Sequence, residues 1–182
     1  MTRPTREDEL RFRTAFQTHY DALLAYALRR TTSRDDAEEA VATTFATAWR
    51  RIDAMPEEPA TIIWLYRVTW RTLANVRRSN ARRGRLITRV GALRPTEDAS
   101  DLGSNLDDVD ERLLLALRHL KENEQEVLRL VVWEELSYAE AAEVLECTPN
   151  AFAIRLHRAR ASLREAASRL SDPPSEPELR NG

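Results

Sequence analysis

Glycine is scarce, at four of 182 residues, and cysteine occurs once, as Cys147. A single cysteine excludes an internal disulfide and any cysteine-based metal cage within one chain. No run approaches the roughly 18 apolar residues of a membrane span. The opening "MTRPTREDELRFR" lacks the apolar stretch of a signal peptide. Alternating strand patterns are missing, as are a glycine-rich phosphate loop, a His-Glu-x-x-His pair and a nucleophile elbow. His19, His119 and His157 stand far apart without ligand-like spacing, so each reads as a surface or core-edge histidine. These gaps leave enzymatic chemistry no foothold. No catalytic residue, metal or cofactor is expected, and the location expected is cytoplasmic.

What is abundant is Ala, Leu, Arg and Glu. With 42% apolar and 32% charged residues and a mean hydropathy of −0.54, the composition favours a soluble, all-α protein. The formal net charge of −2 hides a sorting along the chain. From Arg67 to Arg94 there are nine arginines and no acid, and from Glu97 to Glu111 seven acids and no base. Residues 112–146 hold eight acids against four bases, and residues 147–170 five arginines against one glutamate. Two basic segments separated by acidic ones point to contact with a polyanion.

Residues 86–108 lack a sustained helical period and hold Gly91, Gly103 and Pro95 with several Ser, Asp and Asn. They read as an acidic, flexible linker between two small helical domains, 7–85 and 109–170. The tail, 171–182, carries three prolines and reads as disordered.

In the first domain, Phe12, Phe16, Tyr20, Leu23 and Ala27 recur at helical spacing and predict the buried stripe of a first helix. Ser33-x-x-Asp36 resembles a capping box for a second, with Ala37, Val41, Phe45, Ala48 and Ile52 inward. Asp35, Asp36, Glu38 and Glu39 lie on its other side. Acids near a helix N-terminus gain about 0.3–1 kcal/mol each from the dipole, so they are either structural or a docking face for a basic partner. A third helix is predicted over 60–83, with Ile62, Leu65, Val68, Thr69, Thr72, Leu73 and Val76 inside. Its outer side collects Ile63, Arg67, Trp70, Arg71, Ala74, Arg77 and Arg78. A tryptophan among arginines suits an unstacked base on a phosphate backbone, and equally suits packing on a neighbouring element. Trp49 and Trp64 fall nearer the core faces.

In the second domain, Leu113, Leu114, Leu117 and Leu120 predict one helix, and Val127, Leu128, Leu130 and Val131 a second, begun by Asn123-x-x-Glu126 as capping box. Ser137-x-x-Glu140 starts a short third helix. Thr148 as N-cap with Pro149 at the first helical position starts the last. Two helices joined by a turn of about three residues form a helix-turn-helix, whose second helix enters the major groove. Winding that helix buries Phe152, Leu156, Ala159 and Leu163. It turns Asn150, Ala153, Ile154, His157 and Arg158 outward, with Arg155 and Arg160 on the flanks.

Three blocks carry a family likeness: "YDALLAYALRRTTSRDDAEEAVATTFATAWRR", "WLYRVTWRTLANVRR" and "ALRHLKENEQEVLRLVVWEELSYAEAAEVLECTPNAFAIRLHRARASLR". The chain resembles an extracytoplasmic-function (ECF) sigma factor, a promoter-recognition subunit of bacterial RNA polymerase. The first two blocks resemble sigma region 2 and the third region 4. The resemblance implies that Asp35, Asp36, Glu38 and Glu39 dock on the basic coiled coil of the polymerase's largest subunit. It implies that Arg67, Trp70, Arg71, Arg77 and Arg78 hold the melted −10 element. Asn150, Ala153, Ile154, Arg155, His157 and Arg158 would meet the −35 groove of promoter DNA. An anti-sigma factor is a further partner the family admits. The chain departs from the family pattern at Thr43, where an acid is usual. It also departs at Thr69–Arg71, where "TWR" replaces "ARN", so that Arg71 takes the place of a base-pocket asparagine. Two other functions compete: an autonomous helix-turn-helix regulator of duplex DNA, and a degenerate sigma-like module that sequesters a partner through the acidic face.

Overall fold

The computed structural model describes residues 5–90 and 111–171, with side chains described over 5–78 and 113–170. Among the described residues every regular element is helical, and they fall into two compact units, one built on α1–α3 and the other on α4–α7.

In the first unit, α1 spans Arg6–Leu28, α2 Arg34–Arg50 and α3 Thr61–Val90. Thr5 and Asp8 close a reciprocal capping box at the start of α1: the Asp8 carboxylate accepts from the Thr5 N–H at 2.8 Å, and Thr5 Oγ1 accepts from the Asp8 N–H at 3.2 Å. Those hydrogen bonds from Thr5 hold the Asp8 carboxyl below its ordinary value. Ser33 caps α2 by accepting from the Asp36 N–H at 3.1 Å. The three helices pack pairwise around Leu23, Val41, Phe45, Leu65 and Leu73. Two buried hydroxyls, Thr44 and Thr69, meet at 3.1 Å across the α2–α3 contact.

The turn between α2 and α3 is fastened to α1. Arg11 donates to the Met55 carbonyl at 2.7 Å, and His19, 8% exposed, lies 2.6 Å from Glu58. Thr61 closes the turn by donating to the Pro56 carbonyl at 2.9 Å. Buried polar groups need such partners, and these set where α3 begins.

The expected second stripe is buried, at Ala37, Val41, Phe45 and Ala48 on α2 and at Ile52 in the short 3-10 turn just past its end. The α1 stripe is corrected in its first half. Phe16 is 41% exposed, while Ala15 and His19 are buried in its place, joined by Leu23, Tyr26 and Ala27. On α3, Ile63, expected outside, is 4% exposed. That helix continues to Val90, past Arg83 and into the segment read as linker. Residues 91–108 of that segment, and 172–182 of the tail, lie outside the described residues.

The second unit comprises α4 (Glu111–Arg118), α5 (Glu122–Val132), α6 (Tyr138–Val144) and α7 (Pro149–Ser171). Helix α7 packs on both α4 and α5. Ala116, Val127, Leu128, Leu130, Phe152 and Leu156 are buried in the unit, whereas Leu113 is 43% exposed, contrary to the expected stripe. The expected cap of α5 is also corrected. The helix starts one residue before Asn123, and the Glu124 carboxylate accepts from the Lys121 N–H at 3.1 Å. Glu126 is 5% exposed instead of capping. Glu124 also accepts from the Ser162 hydroxyl at 2.8 Å, so the residue that caps α5 holds α7 beside it.

Candidate nucleic-acid and polymerase-binding surfaces

The helix-turn-helix is built from local signals. Ser137 and Glu140 form the expected box: the carboxylate accepts from the Ser137 N–H at 2.8 Å, and the Ser137 hydroxyl accepts from the Glu140 N–H at 3.3 Å. The Ser137 hydroxyl, followed by its N–H, keeps the Glu140 carboxyl below its ordinary value. Helix α6 ends in a Schellman motif, with Cys147 N–H donating to Ala142 O at 2.9 Å and Glu146 N–H to Glu143 O at 3.2 Å. This places Glu146 at φ 53°, the left-handed region that glycine enters without steric cost. Glutamate there tolerates about 1–2 kcal/mol of strain, and the turn holds because both hydrogen bonds and the next cap agree on it. Thr148 Oγ1 accepts from the Ala151 N–H at 3.2 Å, and Pro149 occupies the first position of α7.

The two faces of α7 then separate. Phe152, Leu156 and Ala159 are at most 2% exposed and anchor the helix, with Leu163 half-buried beyond them. The Phe152 ring lies 5.8 Å from that of Tyr138, which fixes the last helix against the first residue of α6. Asn150, Ile154, Arg155, His157 and Arg158 are exposed, and Ala153 is half-buried beside them. Of the six residues expected at a DNA groove, Asn150, Ile154, His157 and Arg158 therefore lie on the side away from the anchor, with Arg155 and Ala153 at its edges. Among the described residues neither Arg155 nor Arg158 makes an ion pair, and both are exposed.

In the first unit the expected basic surface is divided. Arg71 and Arg78 are exposed, whereas Arg67, Trp70 and Arg77 are half-buried. Arg78 donates to Asn75 Oδ1 at 2.6 Å, and Arg77 Nε to the Leu73 carbonyl at 3.4 Å. Trp70 thus shows part of its indole at the surface of an arginine-bearing helix. Trp64 is buried, as the pattern indicated.

The acidic cluster sits on the first two turns of α2. Asp35, Glu38 and Glu39 are exposed and Asp36 half-buried. Arg34 pairs with Glu38 at 2.7 Å, an exposed i,i+4 pair that contributes little. Farther along, Phe12, Phe16, Phe45 and Trp49 line an open groove of about 560 Å³ with Glu9, Arg13 and Ala46. Phe16 and Phe45 lie 4.7 Å apart and Phe12 and Trp49 5.2 Å apart. The sequence pattern had put these aromatics into a closed core. Phe45 is buried as that pattern indicated, whereas Phe16 is exposed and Phe12 and Trp49 are half-buried.

A helical protein with an arginine-faced helix-turn-helix in one unit, and acidic and basic faces in another, is a DNA-binding protein equipped for a second macromolecular partner. Comparison with known proteins specifies which. The chain matches the family models "Sigma-70 region 2" over residues 15–83 and "Sigma-70, region 4" over 110–163, about two thirds of its length. It is 29% identical over 162 residues to the ECF RNA polymerase sigma-E factor of Haemophilus influenzae, covering 79% of this chain and 80% of that protein. It is 28% identical over 152 residues to the RNA polymerase sigma factor YlaC of Bacillus subtilis, covering 82% and 88%. Among solved structures it resembles the sigma factor RpoE of Bartonella quintana, in complex with the anti-sigma factor NepR. The TM-score there is 0.61 at 26% identity, over 86% of this chain and 96% of that one. The chain belongs to the sigma-70 family, and is an RNA polymerase sigma factor of the ECF type. It is a DNA-binding factor of transcription initiation.

Proposed function

We propose that the faces described above divide promoter recognition among them, with no catalytic residue. The exposed side of α7, Asn150, Ala153, Ile154, Arg155, His157 and Arg158, enters the −35 major groove. The α3 residues Arg67, Trp70, Arg71, Arg77 and Arg78 hold the opened −10 strand. Asp35, Asp36, Glu38 and Glu39 meet the basic coiled coil of the largest polymerase subunit. The two domains, 7–85 and 109–170, are joined by the acidic segment between them. On this reading the protein works in the cytoplasm, beside polymerase and chromosome; no described helix is long and apolar enough to cross a membrane. The likeness to a sigma factor held by its anti-sigma factor supports a partner of that kind here as well.

The observation that carries the reading is the two-faced α7, anchored by Phe152 and Leu156 and outwardly polar, at the end of a closed helix-turn-helix. Asparagine and arginine are the side chains that read base edges bidentately. The test is run-off transcription on genomic fragments with core polymerase, with this protein, and with both. Specific initiation only from the mixture is expected; tight promoter binding by the protein alone would instead favour an autonomous regulator. Arg158→Ala is expected to cost about 1–3 kcal/mol at the preferred −35 sequence and to relax preference there. An equal loss on all sequences would make Arg158 a phosphate contact.

Trp70 makes a separate prediction. If its surface-exposed part stacks on an unpaired base, Trp70→Ala forfeits about 1–3 kcal/mol of opening. Permanganate footprinting should then show less strand opening at unchanged duplex occupancy. Equal opening by both proteins would assign Trp70 to packing.

A further inference from the structure

Ile154 is the odd member of the outward face of α7. Of the residues one turn to either side of it, Asn150, His157 and Arg158 are exposed and polar and Ala151 is half-buried, while Ile154 itself is 47% exposed. Single exposed apolar residues are ordinary on protein surfaces. This one differs in its place, at the centre of the surface aimed at the groove and next to half-buried Ala153.

An isoleucine cannot exchange hydrogen bonds with a base edge. It can only cover apolar surface, and the major-groove edges of the four base pairs offer one such group, the C5-methyl of thymine. The side chain suits the task. A β-branched residue in a helix keeps one χ1 rotamer about 90% of the time, so its methyls are presented at little entropic cost. Facing cytosine, the same side chain would cover the N4 donor without satisfying it, which is unfavourable. The arrangement therefore discriminates in both directions.

We infer that Ile154 selects a thymine in the upstream promoter element through its C5-methyl group, an inference that rests on the reading of α7 as the −35 helix. Asn150 and Arg158 supply hydrogen-bonded contacts around it, and Ile154 supplies the apolar one.

Uracil tests this directly, because it keeps every hydrogen-bonding group of thymine and lacks only the methyl. The full chain is assembled with core polymerase and used to enrich a promoter duplex from random DNA. Each thymine in the protected upstream element is then replaced by uracil, one at a time. At one position the wild-type holoenzyme should bind roughly fourfold more weakly, the factor expected for one buried methyl. Ile154→Ala should bind the thymine duplex more weakly by a similar factor and no longer distinguish it from the uracil duplex. Its melting temperature should match the wild type, since the side chain points away from the anchor residues. Tolerance of uracil at every position by the wild type overturns the inference, as does undiminished uracil sensitivity in Ile154→Ala. Arg158→Ala, run in parallel, separates the two levels. If it relaxes upstream preference while uracil is tolerated, only the thymine contact fails. If both variants leave upstream preference unchanged, the assignment of α7 fails and the inference with it.

Discussion

Phe152→Ala is expected to destabilise the second unit by about 3–5 kcal/mol, the range for removing a fully buried phenylalanine from a packed core. Phe152 is completely buried, one turn into α7, and its ring faces that of Tyr138 at the start of α6. Small domains keep only about 5–15 kcal/mol in total, so a loss of this size removes a large share. The consequence is specific because Phe152 lies on the opposite face of the helix from Asn150, Ile154 and Arg158. Removing it should abolish −35-dependent transcription without altering one groove-facing side chain. Urea melts of the full protein should show an early transition, and Phe152→Leu, which keeps most of the volume, should restore much of it. A variant that melts like the wild type would mean that α7 is held by something other than this residue.

The second large effect is expected from reversing charge on α2. Glu38→Lys with Glu39→Lys removes two exposed acids and adds two cations to the face proposed to meet a basic coiled coil. Stability should change little: Glu38 and Arg34 are well exposed, and such pairs contribute about 0–1 kcal/mol. The binding surface changes fully, since like charges brought together across an interface cost several kcal/mol. Affinity for core polymerase should fall on the order of 100-fold at low salt, with a smaller ratio as ionic strength rises. Unaltered affinity, measured by fluorescence anisotropy beside an unaltered melting curve, would return the acidic cluster to a helix-dipole role.

Legibility in the sequence followed the range of the interactions. Ser137–Glu140 and Thr148–Pro149 were readable because a cap is a contract between residues three positions apart, and the structure contains both. The division of α7 into Phe152, Leu156 and Ala159 against Asn150, Ile154, His157 and Arg158 was readable because one face is uniformly apolar. The cap of α5 was not. Asn123–Glu126 and Lys121–Glu124 both offer an acid at the right offset, and the outcome turned on which glutamate was buried and which could also reach Ser162, 38 residues away.

The first half of α1 shows the same limit. A hydrophobic scale prefers Phe16 inside and His19 outside, and the structure does the opposite. His19 is admitted because Glu58, 39 residues later, stands 2.6 Å from its ring. That partner is invisible to any local window, and it turns the helix so that Phe16 is left at the rim of an aromatic groove. The arginines of α3 were likewise legible as a stripe, but not the half-burial of Arg67, Trp70 and Arg77, which depends on how neighbouring atoms cover them.

By itself, then, the sequence determined the helical class, the helix-turn-helix with its anchored and outward faces, and the sigma family likeness. All of these rest on periodicity, composition and capping between near neighbours. Tertiary structure alone decided which aromatics close the core and which stay at its edge, where α5 begins, and how much of Trp70 remains uncovered. Burial is a property of what arrives from elsewhere in the chain, and no stretch of sequence carries that information about itself.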